Sequence, residues 1–181
     1  MKFQKLTIKN IASIENAEIN FDAEPLSNSG IFLITGKTGS GKSTILDCIC
    51  LALYGITPRL KSTNIQGVTI DLDKEVSVND PRVLMRRNTS ESYVCLTFIG
   101  NDKNSYQAEW SCRRANGKID GKLQDKKRCL TNLTKNFTYS KLDEIVPEIK
   151  RIIGLDFEQF LRTVMLSQGE FTRFLNSKDN E

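Results

Sequence analysis

The chain contains no histidine. Histidine-based acid–base catalysis, histidine-ligated zinc and a Ser-His-Asp arrangement are therefore all excluded. It also has no run of eighteen or more apolar residues, which excludes a transmembrane helix. The opening Met1-Lys2-Phe3-Gln4-Lys5 alternates instead of running apolar, unlike a signal peptide. A cytoplasmic protein with no membrane partner is the expectation. No Cys-x-x-Cys pair occurs among the five cysteines at 48, 50, 95, 112 and 129. Cys48 and Cys50 lie two apart on a predicted helix and point in different directions, so the cysteines read as buried free thiols. Internal repeats and low-complexity segments are absent as well.

What remains is an ordinary globular composition, 39% hydrophobic and 27% charged over 181 residues, enough for one domain with a sizeable insertion. Net charge is +4 but unevenly placed. From Arg82 to Lys135 there are 12 Lys and Arg against 5 Asp and Glu, while the rest of the chain has 14 against 17. A basic middle on a near-neutral body points to a polyanionic partner, or to a solvated face rich in lysine.

Hydrophobic periodicity divides the chain into three regions. Leu6 and Ile8, then Ala17, Ile19 and Phe21, alternate with polar residues and predict an antiparallel strand pair turning near Ser13 or Asn16. Ile31-Phe32-Leu33-Ile34 is continuously apolar between Gly30 and Gly36, as expected of a central strand buried on both faces. Lys42 to Tyr54 is apolar nearly all round and predicts a deeply buried helix, stopped by Gly55 and Pro58. The stretch from 57 to 91 has no sustained period. Residues 92–99, 105–112 and 126–133 alternate as strands joined by Gly- and Asn-rich turns, an antiparallel meander carrying most of the basic surplus. Ile145, Ile149, Ile152 and Ile153 keep helical spacing, with Pro147 tolerable only near the helix start. Asp156 and Gln159 form a capping box for a further helix bearing Phe157, Phe160, Leu161 and Val164.

Gly36-Lys37-Thr38-Gly39-Ser40-Gly41-Lys42-Ser43 satisfies G-x-x-x-x-G-K-[ST] at every fixed position, after an apolar run and before a helix. Glycines 36, 39 and 41 permit backbone turns and a close approach that a Cβ would block. Successive amides then converge on phosphate oxygens at the positive end of the helix dipole. Lys42 places a cation at the β- and γ-phosphates, and Ser43 offers a hydroxyl to Mg²⁺. The reading is a nucleoside triphosphate site. Hydrolysis also needs a carboxylate for the metal and a base or water-orienting group. No second apolar strand ending in Asp or Asp-Glu follows Ser43, so the machinery reads as partial.

These features together with Leu46-Asp47-Cys48-Ile49-Cys50-Leu51-Ala52-Leu53-Tyr54-Gly55, Thr57-Pro58-Arg59-Leu60 and Phe160-Leu161-Arg162-Thr163-Val164-Met165-Leu166-Ser167-Gln168-Gly169-Glu170-Phe171 closely resemble the N-terminal ATPase segment of the SbcC exonuclease-subunit family, SMC-like ABC-type DNA repair ATPases. The resemblance covers essentially the whole chain and is densest at 30–60 and 156–178. It implies an α/β fold, the P-loop NTPase lobe of an ABC-ATPase head, with an antiparallel β meander and a helical C-terminal part. The divisions would be 1–60 (strand pair, P-loop and helix), 61–140 (β-rich basic region) and 141–181 (helical region with the Q-loop).

The resemblance further implies an ATPase using ATP and Mg²⁺ whose hydrolytic groups come from a C-terminal head segment, leaving residues 1–181 alone nearly inactive. Gln168 matches the Q-loop glutamine that reaches Mg²⁺ and the attacking water, and Thr44 a phosphate-contacting position. Ala12 departs from the pattern, since several relatives carry Arg there near the base. The implied partners are that C-terminal segment, a second copy of the head in an ATP-dependent homodimer, an SbcD-type nuclease subunit, and DNA. DNA contact would fall on Arg86, Arg87, Arg113, Arg114, Lys126, Lys127 and Arg128. Trp110 and Tyr106 could stack on bases but fit the core better. The alternatives are an ABC-transporter nucleotide-binding domain, disfavoured by the 126 positions between Lys42 and Gln168, and a small-molecule P-loop kinase.

Overall fold

The computed structural model describes residues 1–61 and 76–164. Six strands form one antiparallel sheet: β1 (Lys2–Ile11), β2 (Ile14–Asn20), β3 (Glu91–Ile99), β4 (Ser105–Arg113), β5 (Lys127–Asn132) and β6 (Phe137–Tyr139), in the order β2-β1-β3-β4-β5-β6. The expected strand pair and meander are therefore one sheet, joined where β1 pairs with β3. The period of two puts Leu6, Ile8, Val94, Leu96, Phe98, Tyr106, Ala108, Trp110 and Leu130 on one face, all at most 1% exposed. The register stacks them in rows, with Ile8 opposite Val94 and Val94 opposite Trp110. Each such side chain removed from water contributes about 2 kcal/mol. Tyr106 and Trp110 belong to this core, so neither stacks on a base. β6, three residues long, is too short for its alternation to be visible in the sequence.

Helix α1 (Lys42–Tyr54) packs on this face over β1, β3 and β4. Its apolar residues go nearly all the way round because neighbours meet it on several sides, and Cys48 to Leu53 are all buried. Gly55 ends it with φ 71, accepting the left-handed cap that a Cβ would resist. The short α2 (Pro58–Lys61) follows. Helix α3 (Leu142–Ile153) lies beside α1 toward β5 and buries Ile145, Ile149, Ile152 and Ile153. Pro147 sits in the second turn of α3, removing one backbone donor that the buried isoleucine stripe offsets. Helix α4 (Phe157–Thr163) opens with the expected capping box, Asp156 accepting from the Gln159 amide at 3.0 Å and Gln159 from the Asp156 amide at 3.0 Å. It docks on α1 through Tyr54, whose ring lies 5.6 Å from Phe157 and 5.4 Å from Phe160. None of the five cysteines forms a disulfide, and four of them are buried.

One expectation is corrected. Residues 31–34 are not a buried central strand: no strand is formed there, and Ile31 and Leu33 are 90% and 85% exposed. The physical reason is the missing ladder. Every described strand belongs to the antiparallel sheet and none of them pairs with this run, so its backbone has nothing to extend against. Gln168 and the end of the predicted C-terminal helical region lie outside the described residues.

Candidate functional site

β1 and β2 are joined by the two-residue turn Ala12-Ser13, and the glycine-rich loop rests against it. Gly41 is the N-cap of α1 with φ 90. A Cβ built there would lie 3.4 Å from both Ser13 Oγ and Ile14 Cγ1, in van der Waals contact, so it is the left-handed conformation that demands glycine. At Gly36 a Cβ would come within 2.7 Å of Ser40 Oγ. The loop closes on itself through Lys42, whose Nζ donates to the carbonyls of Gly36 at 2.7 Å and Lys37 at 2.8 Å. Ser40 N–H donates to the Lys37 carbonyl at 3.2 Å.

This arrangement fits an anion. The first amides of a helix have no partner inside it. No side chain caps Gly41, and the first turn of α1 carries no acidic residue to compete with a phosphate. Gly39, at φ 81, has open space where its side chain would be. Lys37, Thr38 and Ser40 are exposed along the loop, and Ser43 presents an exposed hydroxyl from the first helical turn, an oxygen ligand of the kind Mg²⁺ takes. Thr44 is 4% exposed and turned into the protein. Among the described residues no group of three or more His, Cys, Asp and Glu side chains could hold a metal.

An ion pair and a guanidinium–carbonyl hydrogen bond anchor α1. Asp47 lies one turn past the loop, and its Oδ2 is 2.6 Å from the Arg59 guanidinium. Burial pushes the Asp47 carboxyl up, and Arg59 opposes that shift. A lone acid on an otherwise apolar helix was the available signal for such a partner. At the other end Arg128 Nη2 donates to the Leu53 carbonyl at 2.7 Å, and burial pushes its guanidinium down to about 10.

The basic residues separate into two groups. Arg86 donates from Nη1 to the Ser13 carbonyl at 3.0 Å and lies 3.9 Å from Glu15. Arg114 donates to the Gly121 carbonyl at 3.1 Å, and Lys126 pairs with Asp80 at 3.7 Å. These side chains, with Arg128, are occupied within the protein. Arg87, Arg113 and Lys127 are exposed. Lys127 stands opposite Ser111, two residues from Arg113, so both basic residues share the sheet face away from α1. Arg113 also lines a cleft of about 470 Å³ with Ser90, Glu91, Arg114, Asn116 and Gln124.

Comparison with known proteins shows the family. The family model described as AAA domain matches residues 5–181. The SbcC component of the nuclease SbcCD from Pseudomonas aeruginosa is 43% identical over all of this chain and 15% of that protein, and its namesake in Rhodobacter capsulatus is 38% identical over the same shares. A protein of Aquifex aeolicus named "Probable DNA double-strand break repair Rad50 ATPase" is 29% identical over 97% of the chain and 15% of its own length. The chain thus spans about 15% of the length of these relatives. Among solved structures, the recombination mediator protein RecF bound to ATP shares the fold, with a TM-score of 0.51 at 17% identity over 80% of this chain and 29% of that one.

Proposed function

The chain belongs to the AAA domain family, and on that premise we propose that it is the nucleotide-holding lobe of a DNA-repair ATPase head of the SbcC kind. The observation that carries the reading is the closed loop of residues 36–42, in which the Lys42 ammonium is already drawn to the loop's mouth by two carbonyls. A triphosphate offers that ammonium charged oxygens in place of neutral ones, so the exchange favours binding. The loop amides and the N-terminus of α1 supply the remaining donors. Ser43 and Gln168 are the residues that would hold Mg²⁺, and the buried Thr44 would steady the loop. Mg²⁺, when bound, neutralises charge on the phosphate oxygens.

In this reading hydrolysis needs groups that residues 1–181 do not bring to the loop, and a C-terminal head segment supplies them. The exposed Ile31-Phe32-Leu33 run beside the loop is apolar surface of the sort a further strand would cover. ATP then holds two heads together, and the engagement is passed to a nuclease subunit and to DNA lying on the Arg113 and Lys127 face. The test is complementation. The chain alone should turn over ATP at background rate, and adding the C-terminal head segment should raise the rate at least tenfold. Robust turnover by the chain alone would contradict the proposal.

A further inference from the structure

Ala12 is held in a conformation that its own chemistry disfavours. Its φ is 48, in the left-handed region where an L-residue with no polar side chain gains nothing to compensate. Such strain persists only where the surroundings over-determine it, and it gathers at binding sites. Here the surroundings are the segment at 84–86. Ala12 N–H donates to the Leu84 carbonyl at 2.7 Å, Arg86 N–H donates to the Asn10 carbonyl at 2.9 Å, and Ile11 bridges Met85. The Arg86 side chain then crosses the turn, donating from Nη1 to the Ser13 carbonyl at 3.0 Å and reaching the Ala12 carbonyl at 3.5 Å. On the far side of the turn, Ser13 Oγ and Ile14 are the atoms a Cβ at Gly41 would meet, both 3.4 Å away.

We infer that Arg86 is a positioning residue for the nucleotide site: it clamps the strained Ala12-Ser13 turn so that Ser13 and Ile14 form a fixed wall against Gly41 and the N-terminus of α1. The inference rests on the nucleotide reading above and adds a residue to it. Arg86 is 45 positions from Gly41 in sequence, and its guanidinium faces backbone carbonyls of the turn instead of solvent anions. Its ion pair with Glu15, at 3.9 Å on an exposed carboxylate, is too long and too wet to be its main partner. The two carbonyl contacts are. Both contacts leave from one nitrogen, Nη1, so what the turn requires is a cationic donor with more than one N–H at the end of a long stem.

The experiment measures MgATP affinity of the full chain by calorimetry for the unaltered protein, Arg86→Ala, Arg86→Met, Arg86→Lys and Lys42→Ala. Thermal unfolding without nucleotide and hydrogen exchange of amides 39–43 are recorded alongside. Arg86→Ala should weaken binding at least fivefold and diminish nucleotide-induced protection of those amides, and Arg86→Lys should recover most of the loss. Arg86→Met keeps the apolar stem, so it carries the same comparison if the alanine variant does not fold. Affinity within twofold of the unaltered chain for Arg86→Met, with binding lost in Lys42→Ala, overturns this inference alone. Unchanged affinity in Lys42→Ala, or no saturable binding by the unaltered chain, overturns the nucleotide reading and this inference with it.

Discussion

Arg128 closes the far end of the helix that the glycine loop opens: its Nη2 donates to the Leu53 carbonyl at 2.7 Å, and its side chain lies over Gly55. A helix leaves its last carbonyls without partners, and a cation there answers both the missing donor and the dipole. Removing the side chain exposes that carbonyl and leaves a gap. Arg128→Ala is expected to lower stability by about 1–3 kcal/mol, read as a urea midpoint shift with an unchanged slope. Gly55→Ala should cost about 1–2 kcal/mol through its φ of 71. The new Cβ would also come within 2.9 Å of Arg128.

Gly41 supports a second prediction. At φ 90, with Ser13 and Ile14 at van der Waals limit, any side chain strains the backbone where the first anion-facing amides begin. Gly41→Ala should weaken MgATP binding at least tenfold, about 1.4 kcal/mol, in a calorimetric titration. Full affinity would show that the wall is soft.

Acid sensitivity should trace in part to Asp80. It caps the 3₁₀ turn Pro81–Leu84 by accepting from Arg82 N–H at 2.9 Å and pairs with the Arg82 side chain at 3.0 Å. Burial raises its carboxyl, but those Arg82 bonds and the Lys126 charge outweigh burial and hold it below the usual range. A lowered carboxyl adds stability above its unfolded value, and that stability is lost as pH falls through the folded one. Asp80→Asn should therefore be less stable than the parent at neutral pH, by about 1 kcal/mol. The gap should close in strong acid. Parallel urea curves at both pH values would contradict the assignment.

The DNA face is tested by charge reversal. Arg113→Glu with Lys127→Glu should weaken binding of a DNA duplex to the full-length protein by tenfold or more and flatten its salt dependence, because both are exposed phosphate-facing candidates. Arg114→Gln should do much less, since its guanidinium is engaged with the Gly121 carbonyl. Equal salt slopes for parent and double variant would remove the site.

The glycine-rich loop, α1 and the meander were legible because their signals are local: glycines at fixed offsets, a helix apolar all round, alternation of period two. Even the inward placement of the half-buried Arg128 was within reach, since it shares its strand face with Leu130 and not with Lys127. The bracing of Ala12-Ser13 by Arg86 was not, because nothing near residue 12 announces a partner 74 positions away. Ile31 to Ile34 shows the opposite failure. Its apolar run states that burial is wanted, while strand formation depends on neighbours that local sequence does not name, and among the described strands none pairs with it.

The most direct test of the account is calorimetric titration of MgATP into the full chain and into Lys42→Ala. The unaltered chain should bind saturably with one site. Lys42→Ala, folded by circular dichroism, should lose at least a hundredfold in affinity, about 2.7 kcal/mol, because its ammonium is the charge drawn to the loop's mouth. Equal affinities for the two proteins would contradict the assignment of residues 36–43 as the site.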